Sequence, residues 1–158
     1  MSEKHFPGEG LLHPISLVSI ALLVVNDHVL KWSYPGLLSG KLSDLTGLIF
    51  FPLLLQALYE LLQLIWRGSF TPSQRVLWVF AGLTALVFTL VKLTTLGGEL
   101  YTRALYLLQW PFLSLARGYS MPFLGRVMLT QDATDLIALP CVLVAVWAGR
   151  KRLLLHGK

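Results

Sequence analysis

Residues 76–96 read Val76-Leu-Trp-Val-Phe-Ala-Gly-Leu-Thr-Ala-Leu-Val-Phe-Thr-Leu-Val-Lys-Leu-Thr-Thr-Leu96, with Lys92 as the single charge. A helix needs roughly 20 apolar residues to cross about 30 Å of hydrocarbon, so this run reads as a membrane crossing. Three further apolar stretches flank it: residues 13–31, where Leu17 to Val25 is interrupted only by Ser19; residues 43–66, built around Leu48-Ile-Phe-Phe-Pro-Leu-Leu-Leu55; and residues 132–149, stopped by Arg150-Lys-Arg152. The chain of 158 residues is 55% hydrophobic and 13% charged, with a mean hydropathy of +0.67. Soluble domains carry about 25% charge, so an ordinary soluble fold is excluded. At about 20 residues per crossing the length holds four crossings and leaves no room for a separate soluble domain. The expected fold is all-α: one polytopic domain over 1–158, with transmembrane helices at 13–31, 43–66, 76–96 and 132–149.

The net charge is +5 and the pI near 9.6. Membrane topology accounts for most of it, so no nucleic-acid partner is inferred. With four crossings, Lys4, Arg67, Arg75, Arg150, Lys151, Arg152 and Lys158 fall on one side. By the positive-inside bias that side is the cytoplasm, which predicts a bacterial-type inner-membrane protein with both termini and the 67–75 connection inside. The first apolar stretch runs into Asn26-Asp27-His28 instead of a small-residue cleavage site, so it is expected to stay in the mature protein. Cys141 is the sole cysteine, which excludes an intramolecular disulfide or a cysteine metal cage, and it reads as a small buried hydrophobe.

Residues 97–131 form a long connection that is itself apolar, with Leu100, Tyr101, Ala104, Leu105, Leu108, Phe112 and Leu115 at roughly helical spacing. As a fifth crossing it would move Arg150-Lys-Arg152 outside, and Arg103, Arg117, Trp110-Pro111 and Gly118 fit poorly in a lipid-facing span. One or two amphipathic helices in the outer interface, or dipping into it, are expected instead.

An internal repeat accompanies this arrangement. Ser43-Asp-Leu-Thr-Gly-Leu-Ile-Phe-Phe-Pro52 aligns without gaps on Gln131-Asp-Ala-Thr-Asp-Leu-Ile-Ala-Leu-Pro140, with identity at Asp44/Asp132, Thr46/Thr134, Leu48/Leu136, Ile49/Ile137 and Pro52/Pro140. Two tandem hairpins enter the membrane in the same sense, so a pseudo-twofold axis would lie along the membrane normal, unlike that of inverted-repeat transporters.

On this topology ionisable groups gather at the outer helix ends: Asp27, His28 and Lys31, then Asp44, then Lys92, then Asp132 and Asp135. Such groups near hydrocarbon are costly unless paired or wetted, which makes the layer a candidate site. Taken singly, Asp44 and Asp132 read as first-turn acids after Ser43 and Thr130, Asp27 and Lys31 as an i,i+4 pair, and Lys92 as a snorkelling base. Asp135 lies one turn deeper, replaces Gly47 of the repeat and calls for a cation. Lys31, Lys41, Lys92, Arg126, or a divalent metal held by Asp44, Asp132, Asp135 and His28 would supply it. Further along, Gln56, Glu60 and Gln63 share a face of the second helix, and Glu60 is expected to pair with Arg67 or Arg75 at the interface. The aromatics at 32, 34, 66, 78, 101, 106, 110 and 119 suit an interfacial belt. His5, His13 and His156 lie far from His28, so no bis-histidine haem is expected, and no flavin or nucleotide fingerprint, catalytic triad or zinc-protease motif is present.

The order Lys41-Leu-Ser-Asp44, Glu99, Arg126 and Asp132-Ala-Thr-Asp135 resembles the VanZ-like group of small bacterial membrane proteins over residues 40–145. The histidine of that group's second helix and the Asn and Gly of its fourth have no counterpart here. The resemblance implies an envelope-facing membrane protein more than a reaction. Three function classes follow from the residues. The first binds a cation or polar headgroup at the outer face and, as an enzyme, would use Asp132 and Asp135 as ligand or base, Asp44 as second ligand and Arg126 on the phosphate of a lipid-linked substrate. A second is a cation or proton path continued by Gln56, Glu60 and Gln63 in an oligomer. The third is an accessory subunit docking another membrane protein.

Overall fold

The computed structural model describes residues 6–30, 33, 36–117, 129 and 131–155. Among them there is no strand, and five α-helices follow one another: α1 Pro14–Val25, α2 Leu37–Arg67, α3 Gln74–Leu93, α4 Thr95–Arg117 and α5 Cys141–Leu155. Short tighter or wider turns complete them: 3-10 segments at Glu9–Leu12 and Ala133–Ala138, and a π-helical segment, Asn26–Leu30, that prolongs α1. The chain divides into two compact units, one of Met1–Ala85 with Ile137–Lys158, the other of Leu86–Leu136.

In the first unit α1 starts at Pro14, whose missing N–H is harmless there, while His13 Nδ1 accepts from the Ile15 N–H at 3.3 Å. Its polarity is inside out. Ser16, Ser19 and Asn26 are buried, whereas Leu17, Val18, Leu22, Val24 and Val25 are exposed. A water-soluble helix would do the reverse; small and polar residues facing protein and branched apolar ones facing outward is the pattern of helices packed in lipid. α1 and α5 both pack on α2. On α5, Gly149 allows close packing: a Cβ there would strike Leu77 of α3 and press on Leu53 of α2, both fully buried.

α2 runs for 31 residues, about 46 Å at 1.5 Å per residue. It begins six residues earlier than the expected start at 43: Ser39 Oγ accepts from the Gly36 N–H at 3.3 Å and donates to the Gly36 carbonyl at 2.9 Å, closing the first turn. Asp44 therefore sits inside the helix and is not a first-turn acid. The helix ends at Gly68, which takes φ 69 and returns its N–H to the Leu64 carbonyl at 3.0 Å.

Two helices are long and apolar enough to cross a membrane, Ser39–Arg67 and Gln74–Leu93, and only 22% and 17% of their apolar windows are buried. The core helix of a soluble protein would be mostly buried, so these surfaces call for an apolar surrounding. Pro14–Leu30 and Ala133–Gly149 are apolar but shorter.

The second unit holds the end of α3, all of α4 and the approach to the 3-10 segment. Within 97–131, where one or two amphipathic helices are expected, the described residues hold one helix of 23 residues that starts directly after Thr94, earlier than the expected 97. The repeat does not carry over into matching local structure. Residues 43–52 lie in continuous α-helix, whereas residues 133–138 form a 3-10 helix and the α-helix begins only after Pro140. Asp132 caps the 3-10 turn, and Pro140, with no N–H to give, resets the chain before Cys141. Nor does α5 stop at Arg150-Lys-Arg152, all good helix formers; it continues to Leu155.

Candidate functional site

In the first unit the polar residues at the end of α1 and the start of α2 form a hydrogen-bonded chain. The π-helical turn directs Asn26, fully buried, toward α2, where its Nδ2 donates to the Ser39 carbonyl and to Ser43 Oγ, both at 2.7 Å. Ser43 Oγ in turn donates to Asp27 Oδ1 at 3.0 Å. Asn26 Oδ1 is buried and has no protein donor. An acceptor in that state costs about 1–3 kcal/mol unless something satisfies it, so the network is one donor short. His28 places Nδ1 at 3.0 Å from the Val24 carbonyl, which fixes that nitrogen as the donor and leaves Nε2 at the exposed side. Asp44 and Lys41 are half-buried on α2.

In the second unit Lys92 Nζ donates to Asp135 Oδ2 at 2.6 Å. Both residues are buried, at 9% and 7% exposure, and the ammonium also lies 5.5 Å from the centre of the Phe88 ring. Lys92 is thus one of the cations that the sequence offers for Asp135. Asp132 accepts twice from Thr134, Oδ1 from its N–H and Oδ2 from its hydroxyl, each at 2.8 Å, ahead of the 3-10 segment and not in the first turn of an α-helix. Gln131 Nε2 donates to the Val91 carbonyl at 2.9 Å and to the Thr94 carbonyl at 2.8 Å, tying the segment to the end of α3. There Gly97 and Gly98 leave no space for a Cβ: one would strike the Leu90 carbonyl, the other the Gln131 amide.

Glu60 departs from the expected ion pair with Arg67 or Arg75. It is buried, with Oε2 accepting from the Gly8 N–H at 3.0 Å and Oε1 from Gln56 Nε2 at 2.9 Å. Gly8 adopts φ 80 beside Ala57, so the carboxylate anchors the N-terminal turn. Gln63 is likewise used locally, donating to Tyr59 Oη at 3.0 Å and accepting from the Thr71 N–H at 3.4 Å.

Lys31 and Arg126, two of the expected binding residues, lie outside the described residues, as do Thr130 and Lys4. Among the described residues no three His, Cys, Asp or Glu side chains are placed to hold a metal ion. Asp135 accepts from the Lys92 ammonium and Asp132 from Thr134, so both carboxylates are engaged within the protein. Sequence reasoning missed the parts played by Asn26 and Gln131. The signal for Asn26 was an amide at the end of an apolar run; for Gln131 it was the Gly97-Gly98 pair that makes room for it. Comparison with protein-family models, with curated proteins and with solved structures finds no match.

Proposed function

We propose that the chain is a multi-pass protein of the bacterial inner membrane, four helices crossing with both termini cytoplasmic, and that it binds a cation or a polar, ammonium-bearing headgroup at its outer-facing acidic helix ends. The shorter apolar helices count as crossings in this reading because α1 buries its serines and asparagine and exposes its leucines and valines. The acids that take part are Asp27 and Asp44 of the first unit; Asp132 and Asp135 of the second are engaged by Thr134 and Lys92. The carrying observation is Asn26 Oδ1: a buried acceptor with no protein donor, joined through Ser43 to the exposed carboxylate of Asp27. A metal ion or an ammonium group supplies what that arrangement lacks.

Thermal unfolding of the detergent-purified protein, with Na⁺, Mg²⁺ or a short-chain phosphatidylethanolamine added separately, tests the reading. A ligand at 100 times its Kd stabilises by about 2.7 kcal/mol, so a shift of several degrees is expected with one probe and its loss in Asp27→Asn, whose exposed side chain leaves the fold intact. No shift with any probe, or an equal shift in the variant, overturns it.

A second reading, an accessory subunit whose charges serve only its own fold, is favoured by the pairing of Asp135 with Lys92 and of Glu60 with Gly8. It predicts the negative outcome of that experiment. The same use of Glu60 weighs against a proton path along Gln56, Glu60 and Gln63.

A further inference from the structure

The face of α4 turned away from the second unit has no role in the site. Gly98 and Thr102 are buried on one side of the helix, while Leu100, Leu107, Leu108 and Leu115 stand on the other at 58, 61, 67 and 89% exposure. Between the two faces runs a polar edge, where Glu99 and Arg103 pair at 3.6 Å, both substantially exposed. The apolar stripe does not begin with α4. Leu86, Leu90 and Leu93 on the end of α3, in the same unit, are exposed in the same way, and Leu96 continues the line across the break at Thr94. α3 is long and apolar enough to cross a membrane, so the surface it exposes belongs to hydrocarbon, and the stripe on α4 is its continuation along the chain.

We infer that α4 lies in the plane of the bilayer, its Leu100, Leu107, Leu108 and Leu115 edge inserted among acyl chains and its Glu99–Arg103 pair at the headgroups, making the occupant of this face lipid and not a second protein. Two features fit an in-plane helix better than a crossing. Its charges sit on one edge, and its polar first half would have to be drawn through hydrocarbon if it spanned. The helix is also fixed at its root: Gln131 grips the Val91 and Thr94 carbonyls, and Gly98 admits the Gln131 amide. This inference rests on the membrane reading above but not on the ligand proposed there.

Depth measurement on the full chain in phosphatidylcholine–phosphatidylglycerol vesicles tests it. In a Cys141→Ser background, single nitroxides at Leu100→Cys, Leu107→Cys and Leu115→Cys, with Glu99→Cys as the polar reference, are compared for collision with oxygen and with a water-soluble nickel chelate. An in-plane helix gives the three leucine sites one common oxygen-rich depth and Glu99 a chelate-rich one. Depths that pass through a maximum along 100, 107 and 115 make α4 a crossing and overturn the inference, and so does chelate access or immobilisation without oxygen access at all three, which marks water or a protein partner. Amide hydrogen exchange of unlabelled protein gives an independent reading. α4 amides slow in vesicles relative to detergent-free amphipol support insertion, and unchanged exchange counts against it. A failed ligand test leaves these depths unmoved, so the two proposals fail separately.

Discussion

Asp135→Leu removes the carboxylate that faces the buried Lys92 ammonium at 2.6 Å, and removing one partner of a buried pair costs about 3–5 kcal/mol. Lys92→Met together with Asp135→Leu removes both charges at similar volume and is expected to lose much less. Denaturant unfolding in detergent, read by tryptophan fluorescence, checks the order of the three proteins; a double variant as unstable as the single one would refute the pairing as the source of the loss. That Asp135 needs a cation could be read from its place one turn below Asp132. That Lys92 is a partner could not, because it depends on how residues 131–135 return to the end of α3. The parts of Asn26 and Gln131 were hidden for a different reason. Their partners include backbone carbonyls, which every residue carries and which leave no trace in side-chain spacing.

Helix ends were less readable than helix existence. Apolar runs located the four stretches, but hydropathy is blind to Ser39 closing a turn on Gly36, so α2 started too late, and it is blind to Gln131 ending α3 at Leu93 instead of residue 96. The repeated decapeptide shows the same limit. Thr46 returns its hydroxyl to the Leu42 carbonyl within a continuous helix, whereas Thr134 turns to Asp132, because residues 131–135 are held by the end of α3. At this joint Gly98→Ala drives out the Gln131 amide and frees two carbonyls, an expected loss of about 1–3 kcal/mol. Gly82→Ala is the contrast: nothing lies within 4 Å of its added Cβ, and the gain in helix propensity makes it neutral or stabilising by up to about 1 kcal/mol. Melting temperatures of the two variants in the same detergent settle the comparison, which fails if they move together.

For the molecule as a whole, the number of crossings decides the side on which Arg150-Lys-Arg152 emerges. Four crossings predict that, in a Cys141→Ser background, Ser69→Cys in the α2–α3 connection and a cysteine appended after Lys158 react with an impermeant maleimide only from the cytoplasmic face of sealed vesicles. Labelling of the two from opposite faces would mean an odd number of crossings between them and would reassign α4. If α1 is a crossing, as proposed above, its inverted polarity also bears on how the chain enters the membrane. A lone α1 would present Ser16, Ser19 and the carboxamide of Asn26 to acyl chains, and the acceptors for that carboxamide, Ser39 and Ser43, are synthesised only with the first turns of α2. On the four-crossing reading the first helix would then enter the lipid as half of a hairpin, because the partners of its polar face arrive only with α2.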